Sequence, residues 1–434
     1  MRLRLAVLTL MLSGLMLGLA ATRVVRSDGD AQPLPGTSKR EATASRIAQL
    51  EQAVRDRPDD VRVLTDLASL YLTRSRETGD PSYYKLADIA SQRALAQQPD
   101  DISALVVAGT AALSKHDFAG ALAIGERARD IDPDVTAVYG IITDAQIEMG
   151  QYDAAFASAQ EMLDRHPNFA SYSRASYLRE LTGDVDGAIE AMQMAADAGT
   201  GLPYDEAWAR VIVGNLYLTK GDVDAAERSY QRAEHVLPDD AMTDAALARI
   251  ALARGDAASA EALLRSAVEQ RPLPEYAIAL GDLLASQGRE AEADDQYALV
   301  RAAQQLFAAN GVDTELELAL FDADHGIDPA GTYERALAAY QRRGSLYAAD
   351  TVAWAAYKAG RVDDAQTYMD LALRLGTRDP RLSYHAGVIA LAAGDRTAAR
   401  RHLDDAVSMQ ASQPVLYAVA AREALNTLTS EASR

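Results

Sequence analysis

Cysteine is absent from all 434 residues, which excludes a disulfide framework, thiol catalysis, a Cys-based zinc site and a lipoprotein anchor together. The same absence suits an exported chain that needs no oxidative help. Basic residues are also in short supply, 43 Lys and Arg against 63 Asp and Glu, for a net charge of −20. A nucleic-acid groove must displace counterions with a basic surface, so nucleic acid is excluded as a partner, and docking to an anionic lipid surface is opposed. Aromatics make up 6% of the chain, with two Trp and five Phe, so any place where rings gather stands out. The six histidines (His116, His166, His235, His325, His385, His402) lie far apart. No His-x-x-x-His spacing, Gly-x-Ser-x-Gly elbow or phosphate-cradling glycine loop occurs. The expectation is a protein without catalytic residues, metal or cofactor. Arg far outnumbers Lys and Ala is abundant, a composition that suits a bacterium with a GC-rich genome.

What is present is a pattern that returns about every 34 residues from Val61 to Gln410. A small residue sits midway along a first helix, Gly marks the turn, two Ala follow seven residues apart, and Pro closes the unit. In the unit from Ala207 these are Gly214, Gly221, Ala226, Ala233 and Pro238; in the next they are Ala248, Gly255, Ala260, Ala267 and Pro272. Later units keep the turn Gly and the small residues but lose or move the Pro: Gly281, Gly288 and Ala293; Ala353, Gly360, Ala365 and Ala372; Gly387, Gly394, Ala399 and Ala406. Antiparallel helices approach to about 8–10 Å only where side chains are small. Gly supplies a left-handed cap, and Pro stops the second helix before an Asp opens the next. Pro-Asp-Asp at Pro58, Pro99 and Pro238 and Gly-Asp at Gly183, Gly221, Gly255 and Gly394 place carboxylates at helix N-termini. Each is worth about 0.3–1 kcal/mol there, and such spread pairs read as caps, not metal ligands.

This spacing and these residue types resemble the tetratricopeptide repeat family in about ten units covering most of the chain. The resemblance implies an all-α, right-handed α-solenoid superhelix of about ten helix-turn-helix repeats with capping helices at both ends. Leu316 to Leu320, Asp324-His325-Gly326, Ala349-Asp350, Leu375 to Arg378 and Tyr384 to Gly387 resemble the C-terminal half of secreted bacterial repeat proteins of unassigned activity. The pattern departs in four places. Extra residues between Thr73 and Tyr84 read as a loop in the first unit, and Gly199 to Pro203 lengthens the fourth. Residues 300–344 are irregular, with helices expected over Val312–His325 and Pro329–Arg342. The terminal Pro is lost late in the chain.

One long hydrophobic run exists, the uncharged stretch from Leu5 to Thr22 behind Met1-Arg2-Leu3-Arg4. Eighteen helical residues span about 27 Å against a hydrocarbon core of about 30 Å. Residues 1–22 are thus expected to be a signal peptide, with Gly18-Leu19-Ala20 as cleavage site, or a membrane anchor. The positive charges before the run put that end in the cytoplasm and the repeats outside, so the chain is expected to be periplasmic, secreted or held at the inner membrane. Residues 23–44 read as a flexible linker, 45–60 as an N-terminal capping helix, 61–413 as the repeat array, and 414–434 as a C-terminal capping helix.

A solenoid turns its first helices inward, with inward residues at about i, i+3, i+7 and i+10. This places Tyr347, Asp350, Trp354 and Tyr357 on one stretch of inner face and adds Arg381 and Tyr384 from the next unit. These six are the candidate partner-binding residues, as amphipathic anchors for a peptide or glycan. Alternatively they pack between repeats. A second inner stretch, Asp144, Glu148, Tyr177 and Glu180, is acidic and could receive a basic segment. Some tetratricopeptide proteins bind a free C-terminal carboxylate through inward Lys and Asn; here Asn215 is accompanied by Val211 where Lys is wanted, which excludes that clamp. The sequence therefore points to a non-enzymatic scaffold that binds a protein or peptide at the cell envelope, in assembly or secretion. A glycan-binding module of a polysaccharide-export system is the alternative, and an enzyme with a site in residues 300–344 a more distant one.

Overall fold

The computed structural model describes residues 39–409 and 415–432; the apolar N-terminal run lies outside them. Among the described residues there are twenty-two α-helices and no strand, and no helix is long and apolar enough to cross a membrane. The fold is an all-α repeat solenoid. Between a first helix α1 (Lys39–Asp56) and a last helix α22 (Val415–Ala432), twenty helices follow as ten hairpins. The first five pair α2 (Val61–Thr78) with α3 (Ser82–Gln97), α4 (Ile102–Ser114) with α5 (Phe118–Ile131), α6 (Thr136–Glu148) with α7 (Tyr152–Arg165), α8 (Phe169–Leu181) with α9 (Val185–Ala198), and α10 (Pro203–Thr219) with α11 (Val223–Val236). The second five pair α12 (Ala241–Ala253) with α13 (Ala257–Gln270), α14 (Pro274–Ser286) with α15 (Glu290–Ala309), α16 (Glu315–Asp324) with α17 (Pro329–Arg342), α18 (Leu346–Lys358) with α19 (Val362–Ala372), and α20 (Pro380–Ala392) with α21 (Arg396–Ser408).

The anchors act as their chemistry demands. A Cβ on Gly214 would lie 2.2 Å from Tyr230 Cε1, and one on Gly281 would lie 2.5 Å from Tyr297 Cε1. Each glycine is the space its aromatic partner fills. Asp60, Asp101, Asp184, Asp222, Asp240 and Asp395 each accept from a backbone N–H of the helix that follows. In the hairpin from Ile102 the turn position that elsewhere holds Gly is His116, at φ 61°. A side chain there is strained, and the ring makes a compensating bond, His116 Nδ1 lying 2.7 Å from the Asp313 carbonyl oxygen.

Three boundaries differ from the sequence reading. The extra residues of the first unit lengthen its helices instead of forming a loop: α2 runs to Thr78, Gly79 caps it at φ 72°, and α3 starts at Ser82. The first helix of the irregular segment starts at Glu315, three residues later than expected; ahead of it the Val312 and Asp313 N–H groups bond the Phe307 and Lys115 carbonyls, and its partner over Pro329–Arg342 is as expected. The N-terminal capping helix spans Lys39–Asp56, so it takes in residues assigned to the linker and stops ahead of Pro58.

The chain divides into two compact units. The first comprises residues up to Arg174 together with Arg271–Pro274 and Arg301–Thr314; the second comprises Ala175–Gln270, Glu275–Val300 and the residues from Glu315 onward. In the first unit, Asp313 N donates to the Lys115 carbonyl beside the His116 contact, and Arg271 Nη1 donates to the Arg76 carbonyl at 3.4 Å. In the second, Thr377 Oγ1 donates to the Leu181 carbonyl at 2.5 Å. These partners are 195 to 198 residues apart. Each unit is thus closed by contacts far beyond the neighbouring hairpin, whereas a simple repeat array is held by nearest neighbours.

The two helices of a hairpin are buried differently. α4 is buried without interruption from Ala104 to Leu113 and α6 from Ala137 to Glu148. α5 and α7 bury only one stripe, Phe118, Ala121, Gly125 and Ala128 in α5 and Tyr152, Ala155, Ala159 and Met162 in α7. A helix apolar all round belongs in the interior and an amphipathic one at the surface.

Candidate functional site

Four helices of the second unit, α16, α18, α20 and α22, bring their inward residues to one place. The repeat period does part of this work, since positions about 34 residues apart stack on adjacent hairpins. Five of the six sequence candidates are linked through this cluster, and Tyr347 joins at its edge. Asp350 is fully buried, with His385 Nδ1 2.8 Å from its Oδ1 and Arg381 Nε 3.1 Å from its Oδ2. Burial pushes the Asp350 carboxyl up, but the opposing pull of His385 and Arg381 wins and holds it below the usual carboxylate value. Arg381 also lies over the Tyr347 ring at 5.1 Å, and the Tyr347 hydroxyl donates to Asp379 Oδ2 at 3.4 Å.

Trp354 is 3% exposed. His385 stacks on it at 4.0 Å with the planes 8° apart, Tyr357 stacks at 5.2 Å, and Lys358 Nζ sits 4.7 Å from the ring centroid. Its ring is therefore engaged within the protein and offers no platform on which a sugar could stack. Tyr347, Tyr357 and Tyr384 stay half-exposed, as does Lys358, whose ammonium burial drives below its ordinary pKa. Tyr384 packs against Trp354 and against Tyr417, and burial lifts its phenol to about 12.

Sequence reasoning missed the residue that ties the cluster together. Asp324, at the end of α16, accepts from Trp354 Nε1 at 2.8 Å and from the Tyr417 hydroxyl at 2.7 Å on each oxygen. Burial raises its pKa, with His385 and the Tyr417 hydrogen bond opposing. Tyr417 lies 93 residues from Asp324, a separation that no spacing rule flags. A second group adjoins in the same unit: His325 Nε2 reaches Asp282 Oδ1 at 3.2 Å, and the Tyr297 hydroxyl donates to that oxygen at 2.9 Å. The groups gathered here are rings, cations and hydrogen-bonding side chains. Among the described residues no group of His, Cys, Asp and Glu could hold a metal ion. The irregular segment holds two ion pairs, a buried one between Arg343 and Glu317 at 2.5 Å and one between the half-exposed Arg335 and the buried Asp322.

The acidic stretch is also engaged. Asp144 forms a buried two-point ion pair with Arg174, Nε reaching Oδ1 at 2.9 Å and Nη2 meeting Oδ2; burial pushes its carboxyl up to about 6 against the pull of Arg174. Glu148 is buried, so neither faces solvent as an open acidic wall. In the second unit Glu180 is half-buried. Asn215 accepts from the Tyr230 hydroxyl at 2.7 Å and from Arg249 at 2.8 Å, a packing role that leaves no carboxylate clamp.

A family model described as tetratricopeptide repeat matches residues 144–203, 213–273, 245–306 and 353–414. These hairpins are tetratricopeptide repeats. No curated protein matches the chain. The chain is similar to several solved structures at low identity. A repeat protein from Parabacteroides merdae is 15% identical, with 53% of this chain and 87% of that one covered and a TM-score of 0.41. One from Thermus thermophilus is 19% identical over 49% and 99%, with a TM-score of 0.37. The human IFIT1 dimer is 14% identical over 77% and 78%, with a TM-score of 0.47. The candidate site lies partly inside the fourth matched stretch, on α18 and α20, and the tetratricopeptide family commonly works through protein–protein contacts.

Proposed function

We propose that the chain is a non-catalytic scaffold that captures a protein partner at the bacterial cell envelope, exported or held there by residues 1–22. The partner segment lies against the half-exposed rim of Tyr347, Tyr357 and Tyr384, with Lys358 and Arg381 beside the rings. The observation that carries this reading is preorganisation. The rim is backed by a network in which Asp324, Asp350, Trp354, His385 and Tyr417 fix one another through hydrogen bonds and ring stacking, so little side-chain entropy is lost when a segment docks. Rings that keep one polar tip and one apolar face suit a peptide segment. Two nearby cations favour an acidic side chain or carboxylate in that segment.

The experiment is capture from solubilised membranes with the full chain as bait, beside a Tyr357→Ala/Tyr384→Ala double variant. The rim reading expects the variant to lose at least about tenfold in capture, the scale of one anchor residue, while its far-UV circular dichroism is unchanged. Equal capture by the two would remove the rim from the account.

A further inference from the structure

The contacts that close the second unit on itself include a pair of acids whose positions are unequal. Leu181 and Gly183, at the turn after α8, meet Gly376 and Thr377 in the loop before α20. Thr377 is buried and its hydroxyl donates to the Leu181 carbonyl. A Cβ on Gly183 would sit 2.5 Å from the Gly376 carbonyl oxygen, and Gly183 itself is at φ +77°. The two backbones therefore touch, and no side chain cushions the seam at that point. Glu180 precedes this turn and Asp379 follows that loop.

We propose that this seam is a proton-operated latch, firm when Glu180 is neutral and loosened when Glu180 and Asp379 are both charged. Asp379 spends its carboxylate on the N-cap of α20, accepting from Arg381 N at 2.7 Å and Leu382 N at 3.1 Å, a position that favours the anion. Glu180 has no such donors. Both are half-buried, and of two carboxylates in one site the one that accepts fewer hydrogen bonds takes the proton, which is Glu180. Burial, and then the Asp379 charge, raise its carboxyl to about 7.

The charged groups around the seam do not neutralise it. Arg381 is paired with Asp350 and lies over Tyr347. Arg179, on the same helix as Glu180, reaches the Gly187 carbonyl and Glu190. Asp184 caps α9. Arg378 brings its aliphatic stem to the Gly183 side, with Cγ 3.8 Å from the position of a Cβ there, and Tyr347 donates to Asp379. A folded-state pKa above the ordinary carboxylate value means that the seam's stability is full below about pH 4.5 and is lost as pH rises through about 7. The same loop leads into α20, so loosening it would free Arg381 and the rim. The inference does not depend on the partner, because its readout is the seam.

The test is hydrogen exchange on the full chain from pH 5.5 to 8.5, corrected for intrinsic rates. Peptides covering 181–188 and 376–383 should lose at least about tenfold in protection between pH 6 and 8.5, while those covering 115–121 and 308–314, at the seam of the first unit, stay level. Glu180→Gln should keep the second-unit peptides protected throughout, and Thr377→Val should weaken them at every pH. Flat protection in the native chain, or an unchanged pH dependence in Glu180→Gln, would overturn the latch. If the latch holds and the Tyr357→Ala/Tyr384→Ala variant still captures its partner, the rim reading fails alone.

Discussion

Glycines in this chain have two distinct duties, and substitution separates them. Gly255 sits at φ +78° with open space around it, so Gly255→Ala should cost about 1 kcal/mol, the price of a left-handed side chain. Gly214 is helical and gives its space to the Tyr230 ring. Tyr230 is fully buried, and its hydroxyl is committed to Asn215 with its phenol lifted to about 12 by burial, so the ring cannot step aside. Overpacking of this kind costs about 1–3 kcal/mol, and Gly214→Ala should fall in that range by urea denaturation despite the better helix propensity of Ala. Arg174 offers a sharper case. Arg174→Met strands Asp144 in the interior and should cost about 3–5 kcal/mol, while the Arg174→Met/Asp144→Leu double variant should recover most of it. A double variant as unstable as the single one would show that the remaining bonds of Arg174, to the Gly140 and Ala170 carbonyls, carry the effect.

At the scale of the element, pH should act through helix-to-helix contacts as well as through the seam. His325, at the end of α16, is raised above the ordinary histidine value. Burial works against this, and the Asp282 hydrogen bond and the Phe321 carbonyl overcome it. The proton is therefore held more tightly in the folded state. The resulting stability is full below about pH 6.5 and fades as pH climbs through the raised value. His325→Gln should lower the melting temperature by a few degrees at pH 5.5 and by clearly less at pH 8.5. Calorimetry at the two pH values checks this, and an equal loss at both would locate the effect in ring packing against Tyr297 and Phe321. The elements themselves were largely legible. Pro-Asp-Asp, Gly-Asp and paired Ala fixed helix starts and crossings because each acts within a few residues. The loop expected near Gly79 failed because a helix may lengthen by whole turns without disturbing the anchors of its neighbours.

For the whole molecule, contacts about 196 residues apart change what truncation should do. A nearest-neighbour array shortened from one end loses only its last hairpin. Here Arg301–Thr314 belongs to the first unit, where Asp313 bonds Lys115 and His116. A chain ending at Val300 should therefore become sensitive to protease within α4 and α5, and limited proteolysis with mass mapping would show it. Resistance there equal to that of the full chain would mean that these bonds contribute little.

The sequence by itself determined the repeat, its helical hairpins, their caps and the membership of Tyr347, Asp350, Trp354, Tyr357, Arg381 and Tyr384 in one neighbourhood, since all of these follow from short-range periodicity and the stacking of like positions. Only the tertiary structure decided that Trp354 is stacked and buried, that Asp324 and Tyr417 complete the cluster, and that Glu180 stands near Asp379. The Asp324–Tyr417 and Glu180–Asp379 pairings join residues 93 and more positions apart, where the packing of whole hairpins and the desolvation of their charges, not local spacing, set which groups meet.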